Sequence, residues 1–334
     1  MPSTKSYPIY DLHCDLPSYL ARYKHADPLD GSAIGCAVPH LRQGNAQLQV
    51  MVLFTPDIPD SAAFGLLQAR AYRKLLTDHP AHFQALFDSA GQADLTPSAT
   101  VKAVAAIESA NGFCNSADSL AEAFRKLEAI SALTGPLLYI SLTHSYENRF
   151  GGPSGSKVGL KADGEELLEY LDGRKTAIDL SHASDAQGRD ILNYIDRRAL
   201  DIPVIASHSN YRPVWDHPRN LPEDLADAII TRRGLIGVNF LRRFLHDENS
   251  AAIRDHLQYA LARGGEDAVA FGADYFYEPE VPDPDYQPLY WPEHRNASRY
   301  PAIVQALRAA FSKAQLEKLC YRNAANFIQR IWGE

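Results

Sequence analysis

Eight short apolar runs punctuate the chain: Ile9–His13, Gln47–Phe54, Val101–Ile107, Leu137–Thr143, Thr176–Leu180, Pro203–Ala206, Leu235–Asn239 and Ala268–Gly272. They are rich in Val, Ile, Leu and Ala, and several are continuous rather than alternating, the pattern of strands buried on both faces. Between most of them the apolar period becomes helical. Ser61–Leu76 closes on His79-Pro80, Ser119–Leu133 stops before Gly135-Pro136, and Gly164–Leu171 is a shorter helix. Ala186–Arg197 follows the capping site Ser184-Asp185, Glu223–Arg232 follows Pro222, and Ala251–Ala262 stops at Gly264-Gly265. Strands alternating with helices imply a parallel sheet, and eight of them close it, so the predicted fold is α/β, a (β/α)8 barrel of the TIM type. The competing arrangement is an open doubly wound sheet, but no GxGxxG follows the first strand. Three further helices are predicted at Tyr300–Ala310, Lys313–Tyr321 and Ala324–Ile331. The segment 275–299 before them is rich in Pro, Tyr and acidic residues and leaves the last strand directly, which predicts a loop over the barrel mouth. No internal repeat is visible, and the chain reads as one domain, residues 1–334.

The polar residues that end these runs change the picture. The first run leads into Asp11-Leu12-His13-Cys14-Asp15, the third into Ile107-Glu108 and the fourth into Leu142-Thr143-His144. The fifth leads into Leu180-Ser181-His182, the sixth into Ala206-Ser207-His208-Ser209 and the eighth into Gly272-Ala273-Asp274. A parallel barrel gathers such strand ends at one mouth. Any one of them is unremarkable: HxD is a common triplet, and a histidine or glutamate at a strand end is usually a packed or surface residue. Together, three histidines and two carboxylates at the ends of strands 1, 3, 5 and 6 make the ligand set of a two-metal hydrolytic site. His13 and Asp15, two apart, are predicted to share a strand face. Strand 4 ends in His144 with no lysine nearby, so Glu108 is the candidate bridge between two ions.

Composition adds mainly exclusions. The hydrophobic share is 46%, the charged share 22% and the net charge −8, with no basic block, which argues against a nucleic-acid partner. Cys14, Cys36, Cys114 and Cys320 are widely spaced and form no CxxC pair, so a disulfide framework is not expected and a reducing, cytoplasmic compartment fits. The start of the chain, Met1 to Tyr10, shows no apolar secretory stretch, and no run reaches the length of a membrane span, so no membrane association is expected.

With these motifs in this order the chain resembles the renal (membrane) dipeptidase family of zinc peptidases, peptidase family M19, within the amidohydrolase-like barrels. The resemblance also rests on His217-Pro218-Arg219-Asn220, Ser298-Arg299-Tyr300-Pro301 and Asn323-Ala324-Ala325-Asn326-Phe327, and runs from about residue 9 to about residue 328. It implies two Zn²⁺ per chain. His13 and Asp15 would bind the first, His182 and His208 the second, and Glu108 would bridge them, with a bridging hydroxide as nucleophile. His144 would contact the substrate carbonyl, Arg219 the substrate carboxylate with Asn220 beside it, and Asp274 would hold the substrate amine and shuttle the proton. The implied substrates are small dipeptides, including L-Xaa-D-Xaa, and the implied assembly is a homodimer. Leu12 and Cys14 stand where the family commonly has Gly and Asn, Ser109-Ala110-Asn111 where Gly-Gly often follows the glutamate, and Tyr275-Phe276-Tyr277 where FDG often follows the aspartate. These departures touch the pocket wall, so another small amide, an N-acyl amino acid or a lactam, stays open as the substrate. A metal-binding protein without turnover is the reading from another class. The other histidines, His25, His40, His79, His82, His246, His256 and His294, read as surface or loop residues.

Overall fold

The computed structural model describes residues 7–333, and in it all eight predicted strands lie side by side and parallel. They are β1 (Ile9–Cys14), β2 (Ala46–Phe54), β3 (Val101–Glu108), β4 (Leu137–Ser141), β5 (Ala177–Asp179), β6 (Val204–Ile205), β7 (Ile236–Val238) and β8 (Val269–Phe271). Neighbours follow the order β6-β5-β4-β3-β2-β1-β8-β7. The ends meet through a parallel bridge between Ala206 and Ile236 and through Ala206 N–H to Leu235 O and Gly237 N–H to Ala206 O, both 2.8 Å. The sheet is therefore a nearly closed barrel, as predicted. One short strand, Phe83–Ala85, pairs with β3 outside this circuit. The opening residues, on which the expectation of no secretory stretch partly rests, lie outside the described residues as far as Ser6. No helix among the described residues is long and apolar enough to cross a membrane.

Two apolar clusters follow from the alternation of side chains along the strands. Leu48, Val50, Val52, Val104, Ala106, Leu138, Ile205 and Ala270 form the cluster inside the barrel. The neighbouring positions Met51, Leu53, Ala105 and Ile107 join the larger cluster with the surrounding helices. The C-terminal helix Asn323–Trp332 places Ala324, Phe327, Ile328 and Trp332 against the inner cluster, so it closes the end of the barrel away from the strand ends. Helix Leu120–Thr134 starts with a capping box in which the Ser119 hydroxyl accepts from Glu122 N–H and the Glu122 carboxylate accepts from Ser119 N–H. Helices Leu16–Arg22 and Val38–Gln43 were not predicted; they are short, and each carries a proline in its first turn.

The register departs from a regular strand at one functional point. β1 shifts register between Asp11 and Cys14, so Leu12 faces the barrel interior while Cys14 packs with the outer cluster. The strand ends before Asp15, which stands at the start of helix Leu16–Arg22. His13 and Asp15 do converge, but through this irregularity and a helix start rather than through strand spacing.

One buried charge sits in the sheet itself. Lys102 on β3 is 3% exposed, and its ammonium donates to the Asp94 carboxylate. This bond, with those from Thr96, holds the Asp94 carboxyl down at about 2. A depressed carboxyl stabilises the fold above its unfolded value of about 3.9, and the contribution disappears as pH falls towards about 2. Asp94→Asn is therefore expected to cost about 1–2 kcal/mol at pH 7, limited by the partial exposure of the carboxylate. The gap from wild type should close between pH 4 and 2, as read by denaturant titration across that range.

Candidate metal centre

The end of the barrel where the strands finish brings His13, Asp15, Glu108, His182, His208 and Asp274 together. Glu108 stands between two sets of donors. Its Oε1 lies 2.8 Å from His182 Nε2 and 3.2 Å from His208 Nε2. Its Oε2 lies 3.5 Å from His13 Nε2. Asp15 Oδ1 and Asp274 Oδ1 approach that same nitrogen at 3.7 and 3.6 Å. Ligands about 2.0–2.2 Å from a shared cation stand roughly 3–3.5 Å apart, close to these spacings. Three overlapping triads result, His13–Asp15–Glu108, Glu108–His182–His208 and His13–His208–Asp274, each with its donor atoms within 4.8 Å of one another. His13 Nε2, Asp15 Oδ1 and Glu108 Oε1 are buried with no hydrogen-bond partner. An unpartnered buried polar atom costs about 1–3 kcal/mol, so three converging here fit a cation that satisfies them together.

The charges agree with that fit. Burial, aided by nearby cationic groups including Arg219, holds His182 and His208 well below the ordinary imidazole value, in the neutral form a metal requires. Burial also pulls His13 down, but Glu108, Asp274 and Asp15 outweigh it and raise it to about 10. Burial and the Glu108 charge push Asp15 well above the carboxylate range, and burial lifts Asp274 to about 6. The acids around His13 thus favour its protonated form, and burial together with the Glu108 charge disfavours a charged Asp15. A divalent cation competes for the same lone pairs.

Residues that the sequence reading left without a role hold the donors in place. The Tyr139 hydroxyl donates to Leu12 O at 2.9 Å, so it accepts from His13 Nδ1–H at 2.9 Å and leaves Nε2 facing the centre. In the same way the Ser207 hydroxyl donates to Asp179 Oδ2 at 2.6 Å and accepts from His208 Nδ1–H at 2.7 Å. Asp179 also accepts from Ser181 N–H and Ser207 N–H at 3.0 and 2.8 Å, tying the ends of β5 and β6 together. Asp11 accepts from His13 N–H, Ala273 N–H and the Tyr300 hydroxyl. Asn239 donates to Asp274 Oδ2 at 2.8 Å. Asp11 and Asp179 were visible as acids inside apolar strands, and Asn239 closes the seventh predicted strand, so each carried a readable signal. Gly272 permits the close strand contact beside His208, since a Cβ there would meet Ser207 O at 2.1 Å. His182 and Asp274 adopt φ of +69° and +66°, a left-handed backbone that costs a non-glycine residue about 1–3 kcal/mol and is often found at functional sites.

A cavity of about 700 Å³ opens over the cluster, lined by Asp15, Glu108, His182, Asp274, His144 and Arg219 among others. The His144 ring centre lies 4.1 Å from that of His182 and 4.6 Å from that of Phe54, both pairs tilted, and burial lowers it to about 4, so it is neutral. Arg219 is buried, donates to Ser209 Oγ at 3.1 Å and His208 O at 3.4 Å, and has no carboxylate partner among the described residues. Its Nε has no hydrogen-bond partner among the described residues. Asn220 is placed differently from its expected role. It does not line the cavity, and its amide donates to Trp215 O and Phe244 O at 2.9 and 2.8 Å, bracing the loop that carries Arg219. Two of the remaining histidines are buried: His256, on helix Ala252–Ala262, departs from the surface-or-loop reading, whereas His294 keeps its place in a loop. His256 is fully buried, bonded to Leu245 O and accepting from Tyr211 N–H, and His294 is 5% exposed. Both sit where helices and loops pack outside the barrel, which an apolar periodicity does not distinguish from a surface position.

The sequence model of the membrane dipeptidase family, peptidase family M19, matches residues 3–334. An uncharacterized protein from the pqqA 5′ region of Klebsiella pneumoniae is 30% identical over 247 residues, covering 69% of this chain and 82% of that protein. Among solved structures, the dipeptidase AC, a metallopeptidase of the same family, superposes with a TM-score of 0.80 at 21% identity, covering 99% of this chain and all of that one. A metallopeptidase from Rhodobacter sphaeroides, liganded with a phosphinate mimic of the dipeptide L-Ala-D-Ala, gives 0.79 at 21% identity over 98% of this chain and all of that one. At this identity the two structures bear on the fold.

Proposed function

This chain belongs to the membrane dipeptidase family, and from that premise we propose that it is a dizinc dipeptidase that hydrolyses small dipeptides, L-Xaa-D-Xaa among them. The observation that carries the reading is the division of Glu108, one oxygen towards His182 and His208 and the other towards His13, beneath a cavity that also holds the Arg219 guanidinium, which has no carboxylate partner among the described residues. The Rhodobacter sphaeroides relative, bound to a mimic of an L,D-dipeptide, supports the stereochemical part. Imidazole and carboxylate donors suit zinc. In this reading His13 and Asp15 would hold one ion and His182 and His208 the other, with Glu108 a ligand to both. When bound, the ions supply a Lewis acid for the scissile carbonyl and lower the pKa of water towards neutrality.

The side chains supply the rest. Arg219 binds the substrate carboxylate with donors that no protein carboxylate occupies. The Ser145 hydroxyl, 2.7 Å from His144 Nδ1, donates to it and leaves the proton on Nε2, which then donates to the carbonyl oxygen as charge develops there. Asp274 takes the proton from the attacking water and passes it to the departing amine nitrogen as the C–N bond breaks. Asn239 keeps its carboxylate turned to the centre.

The test is one purified sample assayed for metal content and for hydrolysis of paired L-Xaa-L-Xaa and L-Xaa-D-Xaa dipeptides, with and without added Zn²⁺. About two metals per chain with dipeptide cleavage is the expected result. Metal without cleavage of any dipeptide would transfer the site to another amide. Failure to take up metal on reconstitution would overturn the centre itself.

A further inference from the structure

The same cavity carries a second cation that the mechanism above leaves unused. Arg243, on the short helix Arg242–Leu245, lines it together with Arg219. Its guanidinium lies 3.9 Å from the centre of the Tyr286 ring and 5.3 Å from that of Phe244. Arg219 lies 5.7 Å from the centre of the same Phe244 ring, so both guanidiniums border one aromatic side chain. Aromatic contacts hold the guanidinium plane without using its N–H donors. Among the described residues no carboxylate lies within ion-pair distance of Arg243, and its guanidinium makes no hydrogen bond. The third arginine of the cavity differs: Arg22 is already paired with Glu280 at 3.5 Å.

Asp15, Glu108, Asp274 and Glu280 gather the negative charge of the cavity, whereas Arg219 and Arg243 form a pole with no acid of its own. A dipeptide bound with its amine towards Asp274 and its carboxylate on Arg219 would have its C-terminal residue beside Arg243, which contacts the same Phe244 ring as Arg219. We propose that Arg243 is a specificity residue, and that the preferred substrates are dipeptides whose C-terminal residue carries an acidic side chain, aspartyl or glutamyl. The inference rests on the dipeptidase reading and deepens it. A charge-assisted bond to Arg243 is available to a side-chain carboxylate and is much weaker for the isosteric amide.

The experiment compares kcat and KM for L-Ala-Glu and L-Ala-Gln, with the C-terminal residue as L or D, alongside L-Ala-L-Ala and L-Ala-D-Ala. The expected result is a kcat/KM about tenfold or more higher for Glu than for Gln in the better stereochemical series, expressed mainly in KM and reduced by added salt. Arg243→Met should bring the Glu-to-Gln ratio close to unity, and Arg243→Lys should restore part of it. A purely structural role for Arg243 would lower both substrates together and leave the ratio in place. A wild-type ratio near unity, or one that survives Arg243→Met, overturns the proposal while cleavage of the Ala-Ala peptides leaves the dipeptidase reading standing. Failure to cleave any of these peptides overturns both.

Discussion

Glu108→Gln is expected to remove dipeptide hydrolysis by at least about 10³-fold and to weaken metal binding while leaving the barrel folded. The side chain is 3% exposed at the end of β3, where an amide of the same shape fits without a cavity. The carboxylate presents one oxygen to His182 and His208 and the other to His13. Glutamine retains one oxygen, so one side of the centre loses its acceptor and meets an N–H₂ group turned against lone pairs. The variant also removes the charge that contributes most to raising His13. Protons released on metal uptake should therefore fall, which calorimetry in buffers of different ionisation heat would register. In wild type, metal at about 100 times its dissociation constant should add about 2.7 kcal/mol of stability, and this increment should shrink in the variant. Metal analysis after dialysis, melting with and without Zn²⁺, and kinetics on one dipeptide together check the claim. A variant with wild-type metal content and turnover would remove Glu108 from the centre.

Much of this site was legible in the chain because a parallel barrel converts sequence position into spatial position. Each apolar run ended within one to three residues of a polar group, and the fold turned those ends to one mouth. His13, Glu108, His182, His208 and Asp274 are found together for that reason. The eight strands were equally readable, since Val- and Ile-rich runs buried on both faces have few other uses. What stayed hidden depends on contacts rather than on pattern. The register shift in β1 carries no residue signal, so the route by which Asp15 reaches His13 was misjudged. Asn220 sits beside Arg219 in sequence, yet its amide faces the backbone of its own loop and of the Arg242–Leu245 helix. Arg243 carries no signal in the sequence, because only the folded loop brings Tyr286 against it. The buried support Tyr139 bonds to β1 across 126 residues of sequence, and a one-dimensional pattern does not rank such pairs.

Asp274→Asn is expected to lower kcat by about 10²–10⁴-fold, to raise KM because the substrate amine loses its charged partner, and to retain bound metal. Asparagine is the informative replacement. The residue holds φ of +66°, a left-handed backbone that asparagine adopts at lower cost than alanine, so loss of activity can be assigned to the carboxylate rather than to the backbone. The Tyr290 hydroxyl donates to the Asp274 carbonyl and will do so in either variant, keeping the loop seated. Two roles are open to this side chain on geometry. It belongs to one of the three candidate metal triads, and it also faces the cavity where a leaving amine would depart. They separate cleanly by experiment. A ligand whose oxygen is lost gives up metal, and added Zn²⁺ then restores part of the rate. A proton shuttle keeps its metal, and the defect follows the leaving group: an ester or activated amide of the same acyl residue, whose leaving group departs without protonation, should be hydrolysed at a rate much closer to wild type than the dipeptide. The acid limb of the pH profile gives a second reading. Burial lifts the Asp274 carboxyl to about 6, and nearby cations oppose the rise, so the base needed to accept the proton from water is lost as pH falls through or below that value. In the asparagine variant that limb should be absent from kcat/KM. An equal loss on esters and dipeptides, or an acid limb that persists unchanged, would take the proton transfer away from Asp274.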